Sequence, residues 1–206
     1  MEIADEFDYL KREKGRWRRR RIDVRAPGSG YRGLRRREEA VWEPPKSGIM
    51  KVNVDGALFK DTGVGLGVVI RDENGRVVRA ACLQTKQRWD VPVVEAKAIA
   101  LGIKLAAQSN ATMVEVECDN MQVVSLINGA RKDGSQLGII VREIKCLASC
   151  FDSVKFSHVF REANLAAHTM AHLSPLEFST RVWVGGCPSI LDDVIASDFC
   201  LMNNNN

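Results

Sequence analysis

Hydrophobic and polar residues alternate along residues 51–57, which read KVNVDGA. Val52 and Val54 fall on one face of this segment. Asn53 and Asp55 fall on the other face. Alternation with a period of two predicts a half-buried β-strand. The next stretch, GVGLGVVIRDENGRVVRAACL, contains two apolar runs joined by the turn-forming residues DENG, which predicts a β-hairpin. Together these elements predict an antiparallel meander of three strands.

A helical pattern follows over residues 91–108. At about 100° per residue, Lys97, Lys104 and Gln108 fall in one narrow polar stripe. Glu95 lies roughly 160° from Lys97 by the same geometry, so its side chain is expected to face the protein interior. A carboxylate in that position is unfavourable unless it is paired or bound to a metal ion.

The remaining pattern predicts two more strands and three more helices. The run MVEVECD predicts a strand with Asp119 at its C-terminal end, and residues 120–128 and 136–150 are predicted helices. SVKFSHVF predicts the last strand and REANLAAHTMAHL the last helix. The order βββ-α-β-αα-β-α indicates an α/β fold with a mixed five-stranded sheet, in which an antiparallel meander is followed by parallel strands and helices flank the sheet.

Positive charge is concentrated near the N-terminus. Residues 11–37 contain 13 Lys or Arg residues and two acidic residues, a balance of +11, whereas the whole chain has a net charge of +4. Residues 1–45 also lack sustained apolar periodicity, which predicts a disordered or loosely helical basic tail. This tail is interpreted either as a nuclear-import or nucleic-acid-binding segment or as a solvated remnant. Residues 46–175 are predicted to form the folded domain, and residues 176–206 a C-terminal extension with a disordered, Asn-rich end.

The composition argues against membrane and secreted proteins. No run approaches the roughly 18 apolar residues that span a bilayer, and the N-terminus lacks the apolar segment of a secretory signal. The six cysteines contain no CxxC pair. Reduced thiols in an intracellular protein are therefore expected, with a nuclear location suggested by the basic tail. The expected oligomeric state is a monomer.

Three acidic residues are the main candidates for chemistry. Asp55 lies in the first predicted strand, Glu95 in the first helix and Asp119 at the end of a later strand. If these side chains converge, they form an oxygen-only site suited to Mg²⁺, an ion that serves phosphodiester chemistry.

Several segments resemble the type 1 ribonuclease H domain, and more closely the plant domains derived from reverse transcriptases of non-LTR retroelements. These segments are WEPPKSGIMKVNVDGA, GVVIRDENG, VECDNMQVV and FSHVFREANLAAHTMAH. The resemblance extends over about residues 42–198 and includes a tail motif of Trp183, Pro188, Ile190 and Leu191. It implies a ribonuclease H-like fold and endonucleolytic cleavage of the RNA strand of RNA/DNA hybrids with two Mg²⁺ ions.

The resemblance also implies roles for individual residues. Asp55, Glu95 and Asp119 match the first three catalytic carboxylates, and Asp55 would bridge both ions. The fourth catalytic position, usually an Asp, is His168 in this chain. Because imidazole nitrogen suits Mn²⁺ better than Mg²⁺, any activity is expected to be weak with Mg²⁺ and relatively better with Mn²⁺. His158 matches a mobile histidine that aids product release, and a structural histidine at a strand end is the alternative.

Gly56, Asn120 and Asn164 are candidate nucleic-acid contacts. Gly56 would let the backbone approach a hybrid closely, or would only allow a strand bend. Asn164 matches an asparagine of the family, or makes only a hydrogen bond in the first turn of the last helix. His168 and His172 are one helical turn apart, the spacing of a two-histidine metal clamp. Without an HExxH glutamate or a third nearby ligand, a zinc enzyme is not expected.

Two functions stay open at this point. The three carboxylates favour an active hybrid ribonuclease. The histidine at position 168, and the absence of the Trp- and Lys-rich protrusion that longer members use to hold a hybrid, favour an inactive, domesticated domain. Such a domain would bind nucleic acid or a protein partner. Another member of the broader fold, such as an exonuclease or integrase, is disfavoured by the DGA and HVFREAN segments.

Overall fold

The structure is a computed structural model that describes residues 40–60, 63–130, 134–173 and 180–204. The strands in these ranges are β1 (Met50–Phe59), β2 (Gly63–Arg71), β3 (Val77–Thr85), β4 (Met113–Cys118), β5 (Ser153–His158) and β6 (Thr180–Val184). The α-helices are α1 (Val91–Ala107), α2 (Met121–Asn128), α3 (Gln136–Ala148), α4 (Leu165–His172) and α5 (Asp192–Asn204). Short 3-10 turns at Arg161–Asn164 and Ser189–Leu191 precede α4 and α5. The basic segment 11–37 lies outside the described residues. Within the described ranges, every helix is too short or too polar to cross a membrane.

The strands form one mixed sheet in the order β5-β4-β1-β2-β3-β6. β1, β2 and β3 make the predicted antiparallel meander, while β4 pairs in parallel with β1 and β5 in parallel with β4. The prediction of five strands is wrong, because β6 adds a sixth strand antiparallel to β3. β6 is a short edge strand whose residues are mostly exposed, so it lacks the alternation that identifies a half-buried strand.

The larger part of the core lies between the sheet and helices α1, α2 and α3. α1 crosses β1 closely, because a Cβ at Gly102 would lie 2.8 Å from a methyl group of Val52 and of Val54. Glu95 lies on the inward side of this helix with 5% of its surface exposed, as its helical position predicts.

The opposite face of the sheet is covered by α4 and α5. They pack around a smaller apolar cluster of buried residues, Val69, Ala80, Cys82, Ala166, Met170 and Leu191. α4 lies very close to β2 because the strand has two glycines on this face. A Cβ at Gly65 would lie 2.1 Å from the Ala171 carbonyl oxygen, and one at Gly67 would lie 2.2 Å from that of Ala167. These glycines therefore set how near α4, with its histidines, comes to the sheet.

The folded unit extends beyond the predicted boundaries on both sides. Trp42 is 1% exposed, and its Nε1 donates a 2.8 Å hydrogen bond to Asn53 of β1. Arg71 of β2 stacks on the Trp42 ring and pairs with Asp198 of α5 at 2.6 Å. Within the predicted C-terminal extension, residues 180–204 contribute β6 and α5 to the fold.

Candidate active site

Asp55 lies near the middle of the sheet, since β1 pairs with β2 on one side and with β4 on the other. It shares a strand face with Asn53, turned toward α4, and only 3% of its surface is exposed. Its Oδ2 is 2.7 Å from Nδ1 of His168 on α4. The close packing of α4 on β2 thus brings a histidine to hydrogen-bond distance of the first predicted catalytic carboxylate.

Glu95 reaches the same region from the beginning of α1. The helix can approach β1 there because Gly56 has no side chain. A Cβ at Gly56 would lie 2.7 Å from Cγ1 of Val94 and 3.1 Å from the backbone nitrogen of Glu95. This packing role differs from the nucleic-acid contact and from the strand bend that the sequence suggests for Gly56. The Glu95 carboxylate accepts a hydrogen bond from the thiol of Cys118, at 3.6 Å.

Asp119 follows β4, whose parallel pairing with β1 brings the ends of the two strands to the same edge. Ligand atoms of Glu95, Cys118 and Asp119 lie within 4.8 Å of one another. Burial and the charge of Asp55 raise the pKa of the Asp119 carboxyl, while the Arg161 guanidinium acts in the opposite direction. The charge of Asp55 acts on both Glu95 and Asp119, so the three predicted carboxylates are neighbours in the folded chain.

The electrostatics of this cluster are most evident at Glu95. Burial, followed by the negative charges of Asp55 and Asp119, raises the pKa of Glu95 to about 9. The Cys118 thiol and the Gly56 backbone N–H donate hydrogen bonds that lower this pKa in part. A divalent cation would remove the repulsion among the carboxylates, and oxygen donors are the ligands that Mg²⁺ prefers. The donor set thus fits Mg²⁺, with Asp55, Glu95 and Asp119 as the residues that could hold it.

Two histidines of α4 lie on the other side of Asp55. The ring centroids of His168 and His172 are 4.0 Å apart, and Nδ1 of His172 is 3.0 Å from the backbone oxygen of His168. Ligand atoms of Asp55, His168 and His172 lie within 4.8 Å of one another. Asp55 therefore supplies the third nearby ligand that the sequence pattern alone does not provide.

Arg161 is a site residue that the sequence analysis missed. It lies in the turn before α4, seven residues ahead of His168, and its Nη2 contacts the imidazole ring nitrogens. A spacing of seven residues is close to two helical turns and places both side chains on one face of a continuous helical segment. That spacing is the signal by which the contact could have been found.

His158 ends β5, opposite Cys118 of β4. Its ring lies edge-on to Phe160 with centroids 5.8 Å apart. It also borders an open cavity of about 390 Å³ that Trp42 and Lys51 help to line. Among the described residues, the clusters of metal-ligating atoms do not include His158. Its role in product release stays a prediction.

The two predicted asparagine contacts have structural roles. Asn164 is 0% exposed, its amide donates a 2.9 Å hydrogen bond to the Val54 carbonyl, and its Oδ1 accepts one of 3.2 Å from Asn53. A side chain with no exposed surface cannot touch a nucleic acid, so that prediction is wrong for Asn164. Asn120 caps α2 by accepting a 3.2 Å hydrogen bond from the backbone N–H of Val123. Contact of Asn120 with a nucleic acid stays a prediction.

Comparison with known sequences identifies relatives of this chain. The model of the family described as reverse transcriptase-like matches residues 53–174. A protein of Arabidopsis thaliana named "Putative ribonuclease H protein" is 30% identical over 132 residues, which make up 64% of this chain and 21% of that protein. The chain thus spans about a fifth of the length of this relative.

Solved structures share the fold. The N-terminal RNase H domain of a Mycobacterium tuberculosis protein has a TM-score of 0.55 and 23% identity, over 60% of this chain and 90% of that one. RNase H1 from Halobacterium salinarum has a TM-score of 0.56 and 22% identity, over 60% and 94% of the two chains. LC11-RNase H1, solved in complex with an RNA/DNA hybrid, has a TM-score of 0.52 and 22% identity, over 59% and 92%. Since the family match also covers more than half of the sequence, the chain belongs to the reverse transcriptase-like family and has the ribonuclease H fold.

Proposed function

We propose that this domain is a metal-dependent endonuclease that hydrolyses the RNA strand of RNA/DNA hybrids. The observation that carries the proposal is that Asp55 and Asp119 lie near enough to the buried Glu95 for their charges to help raise its pKa to about 9. Clustering of like charges does not stabilise a fold, and perturbed carboxyl groups of this kind concentrate at functional sites. The choice of an RNA/DNA hybrid as substrate is supported by the likeness to LC11-RNase H1, which was solved with such a hybrid.

Each of the three carboxylates would bind at least one of the ions. Divalent ions bound there would supply an activated water and stabilise the negative charge on the leaving 3′ oxygen. Asp55 would bind both ions, and Glu95 and Asp119 would each bind one. The hydrogen bonds from Cys118 and Gly56 would hold the Glu95 carboxylate in place.

Arg161 and His168 would act on the substrate side of the cluster. The Arg161 side chain is exposed, and its charge acts on Asp119. A guanidinium group with several N–H donors suits the oxygens of a phosphodiester, so we assign Arg161 to the phosphate near the scissile bond. His168 orients Asp55 through their 2.7 Å contact. As a nitrogen ligand beside the ions, His168 would favour Mn²⁺ over Mg²⁺.

Cleavage of an end-labelled RNA/DNA hybrid by the full chain, in Mg²⁺ and in Mn²⁺, tests the proposal. We expect cutting of the RNA strand that requires the metal, is faster with Mn²⁺, and falls by about 100-fold or more in Asp119→Asn. Equal or higher turnover in Mg²⁺ at the same pH would contradict the role given to His168. An Asp119→Asn variant as active as the wild type would contradict the carboxylate site.

A catalytically inactive domain that binds nucleic acid or a protein partner is the second candidate. The 2.7 Å contact between His168 and Asp55 favours it, because the contact engages an oxygen that the first candidate assigns to a metal ion. In the same experiment this candidate predicts that the hybrid is bound and left intact in both metals.

A further inference from the structure

His172 has the hydrogen bonding of a metal-ligating histidine. Its Nδ1 lies 3.0 Å from the backbone oxygen of His168, and a carbonyl oxygen can only accept a hydrogen bond. Nδ1 of the neutral ring therefore carries the hydrogen, and Nε2 carries the lone pair that a metal ion would need. A ligating histidine commonly donates its other ring N–H to a backbone carbonyl in this way. The ring of Phe59 packs edge-on against His172 with centroids 6.0 Å apart, which restricts its orientation.

His168 and Asp55 complete a set of three ligands. Nδ1 of His168 is 2.7 Å from Oδ2 of Asp55, and ligand atoms of these two residues and of His172 lie within 4.8 Å of one another. Ligand atoms that share one tetrahedral zinc ion lie about 3.3 Å apart. The three side chains are near enough to share one ion, provided that the exposed Arg161 moves off the ring nitrogens of His168 and leaves one of them free for the ion.

We propose that Asp55, His168 and His172 form a site for Zn²⁺ that is separate in its donor chemistry from the all-oxygen cluster. Two imidazole nitrogens and one carboxylate oxygen suit Zn²⁺, whereas Mg²⁺ prefers oxygen ligands alone. Three protein ligands leave a fourth position of a tetrahedral ion open to water or to a phosphate oxygen. The site goes beyond the proposed nuclease, with which it shares Asp55 and His168, because it adds His172 as a ligand.

Sharing Asp55 has a regulatory consequence, which rests on the proposed function. An ion held by Asp55 and the histidines withdraws this carboxylate from the ions of the oxygen cluster. Zn²⁺ is therefore expected to inhibit hybrid cleavage in competition with Mg²⁺ or Mn²⁺. The Arg161 guanidinium beside His168 repels an incoming cation, so it should weaken this site relative to a closed zinc site.

Titration of the full chain with Co²⁺, followed by displacement with Zn²⁺, tests the binding site without any need for activity. The visible absorption of Co²⁺ reports its ligands and its geometry. Removing one of three ligands in His172→Gln should weaken Co²⁺ and Zn²⁺ binding by at least about 10-fold. His158→Gln is the matched control, because His158 is the remaining histidine of the chain and lies outside the cluster, so this variant should bind both metals as the wild type does.

Two results would overturn the proposed zinc site. The first is equal binding by the wild type and a folded His172→Gln variant, with folding checked by circular dichroism. The second is a thiolate-to-cobalt absorption band that persists in His172→Gln, because it would place the ion on cysteines. Loss of hybrid cleavage has no bearing on the metal titration, so failure of the proposed function and failure of the zinc site are distinguishable.

Discussion

Glu95 and Glu117 are both buried glutamates, 5% and 7% exposed, but the charges around them are opposite in sign. Glu117 lies 2.6 Å from the ammonium group of Lys51 and accepts a 2.9 Å hydrogen bond from Asn53. Burial raises the pKa of Glu117, and Lys51 lowers it in part. At Glu95, neighbouring carboxylates add to the effect of burial and bring the pKa to about 9.

The two glutamates show how one part of the sheet serves both stability and chemistry. The charges around Glu117 are compensated within the chain. Asn53 extends this cluster by bonding to Trp42 and Asn164, which ties the N-terminal flank and the turn before α4 to β1. Asp55, two residues further along the same strand, has a neighbourhood of like charges that the chain does not fully neutralise. A bound cation would compensate them, so we assign stability to the first cluster and ion binding to the second.

The largest change in stability is expected from Lys51→Met. The substitution leaves Glu117 buried without its cation, so the free energy of unfolding should fall by about 3–5 kcal/mol. Urea denaturation at neutral pH measures the change. The double variant Lys51→Met with Glu117→Gln should regain much of the loss, because it no longer buries an unpaired charge. A loss below about 1 kcal/mol in the single variant would show that the pair does not stabilise the fold.

The pH dependence of stability is the next largest effect. The pKa of Glu95 is about 9 in the folded protein against an ordinary value of 4.5. Between these values the folded protein holds one more proton than the unfolded chain, so its free energy of unfolding falls as the pH rises. In metal-free buffer at pH 8, Glu95→Gln should be more stable than the wild type by about 2 kcal/mol.

Urea denaturation at pH 6 and pH 8, with and without a chelator, measures this effect. The difference between the two proteins should shrink at pH 6, because protonating Glu95 on folding costs less as the pH approaches the ordinary pKa of 4.5. It should also shrink when Mn²⁺ is added at pH 8. If the free energy of unfolding changes with pH in the same way for the wild type and Glu95→Gln, Glu95 is not the source of the repulsion.

A smaller effect is expected from Trp42→Phe. The substitution keeps an aromatic ring under Arg71 but removes the hydrogen bond to Asn53, so the free energy of unfolding should fall by about 1 kcal/mol. Trp89→Phe is the control, since Trp89 is only partly buried and the cation-π contact of its ring with Lys97 can be kept by phenylalanine. If urea denaturation shows the same loss in free energy of unfolding for both variants, the Trp42 hydrogen bond has no specific role.

Local patterns in the sequence predict much of the sheet and the direction of Glu95. The alternation around Val52 and Asn53 identifies β1, and the helical period of α1 correctly turns Glu95 inward. β6 was missed because an edge strand with exposed residues such as Val184, 71% exposed, has no alternation to detect. The role of Trp42 was missed because its partner Asn53 is identified only by the folded arrangement.

The candidate site likewise combines features that the sequence predicts with contacts that only the folded arrangement determines. The convergence of Asp55, Glu95 and Asp119 is expected from the family resemblance, and the geometry of the fold agrees with it. The contact of His168 with Asp55 joins residues 113 positions apart and depends on the close packing of α4 on β2, which no local pattern contains.

Mn²⁺ binding measured by electron paramagnetic resonance, for the wild type, Glu95→Gln and Glu117→Gln, tests whether the carboxylate cluster holds the ion. The two variants replace equally buried glutamates by the same isosteric amide. We expect Glu117→Gln to bind Mn²⁺ as the wild type does and Glu95→Gln to bind it at least about 10-fold more weakly. Equal binding by the wild type and both variants, or a loss confined to Glu117→Gln, would contradict the assignment of the carboxylate cluster as the ion site.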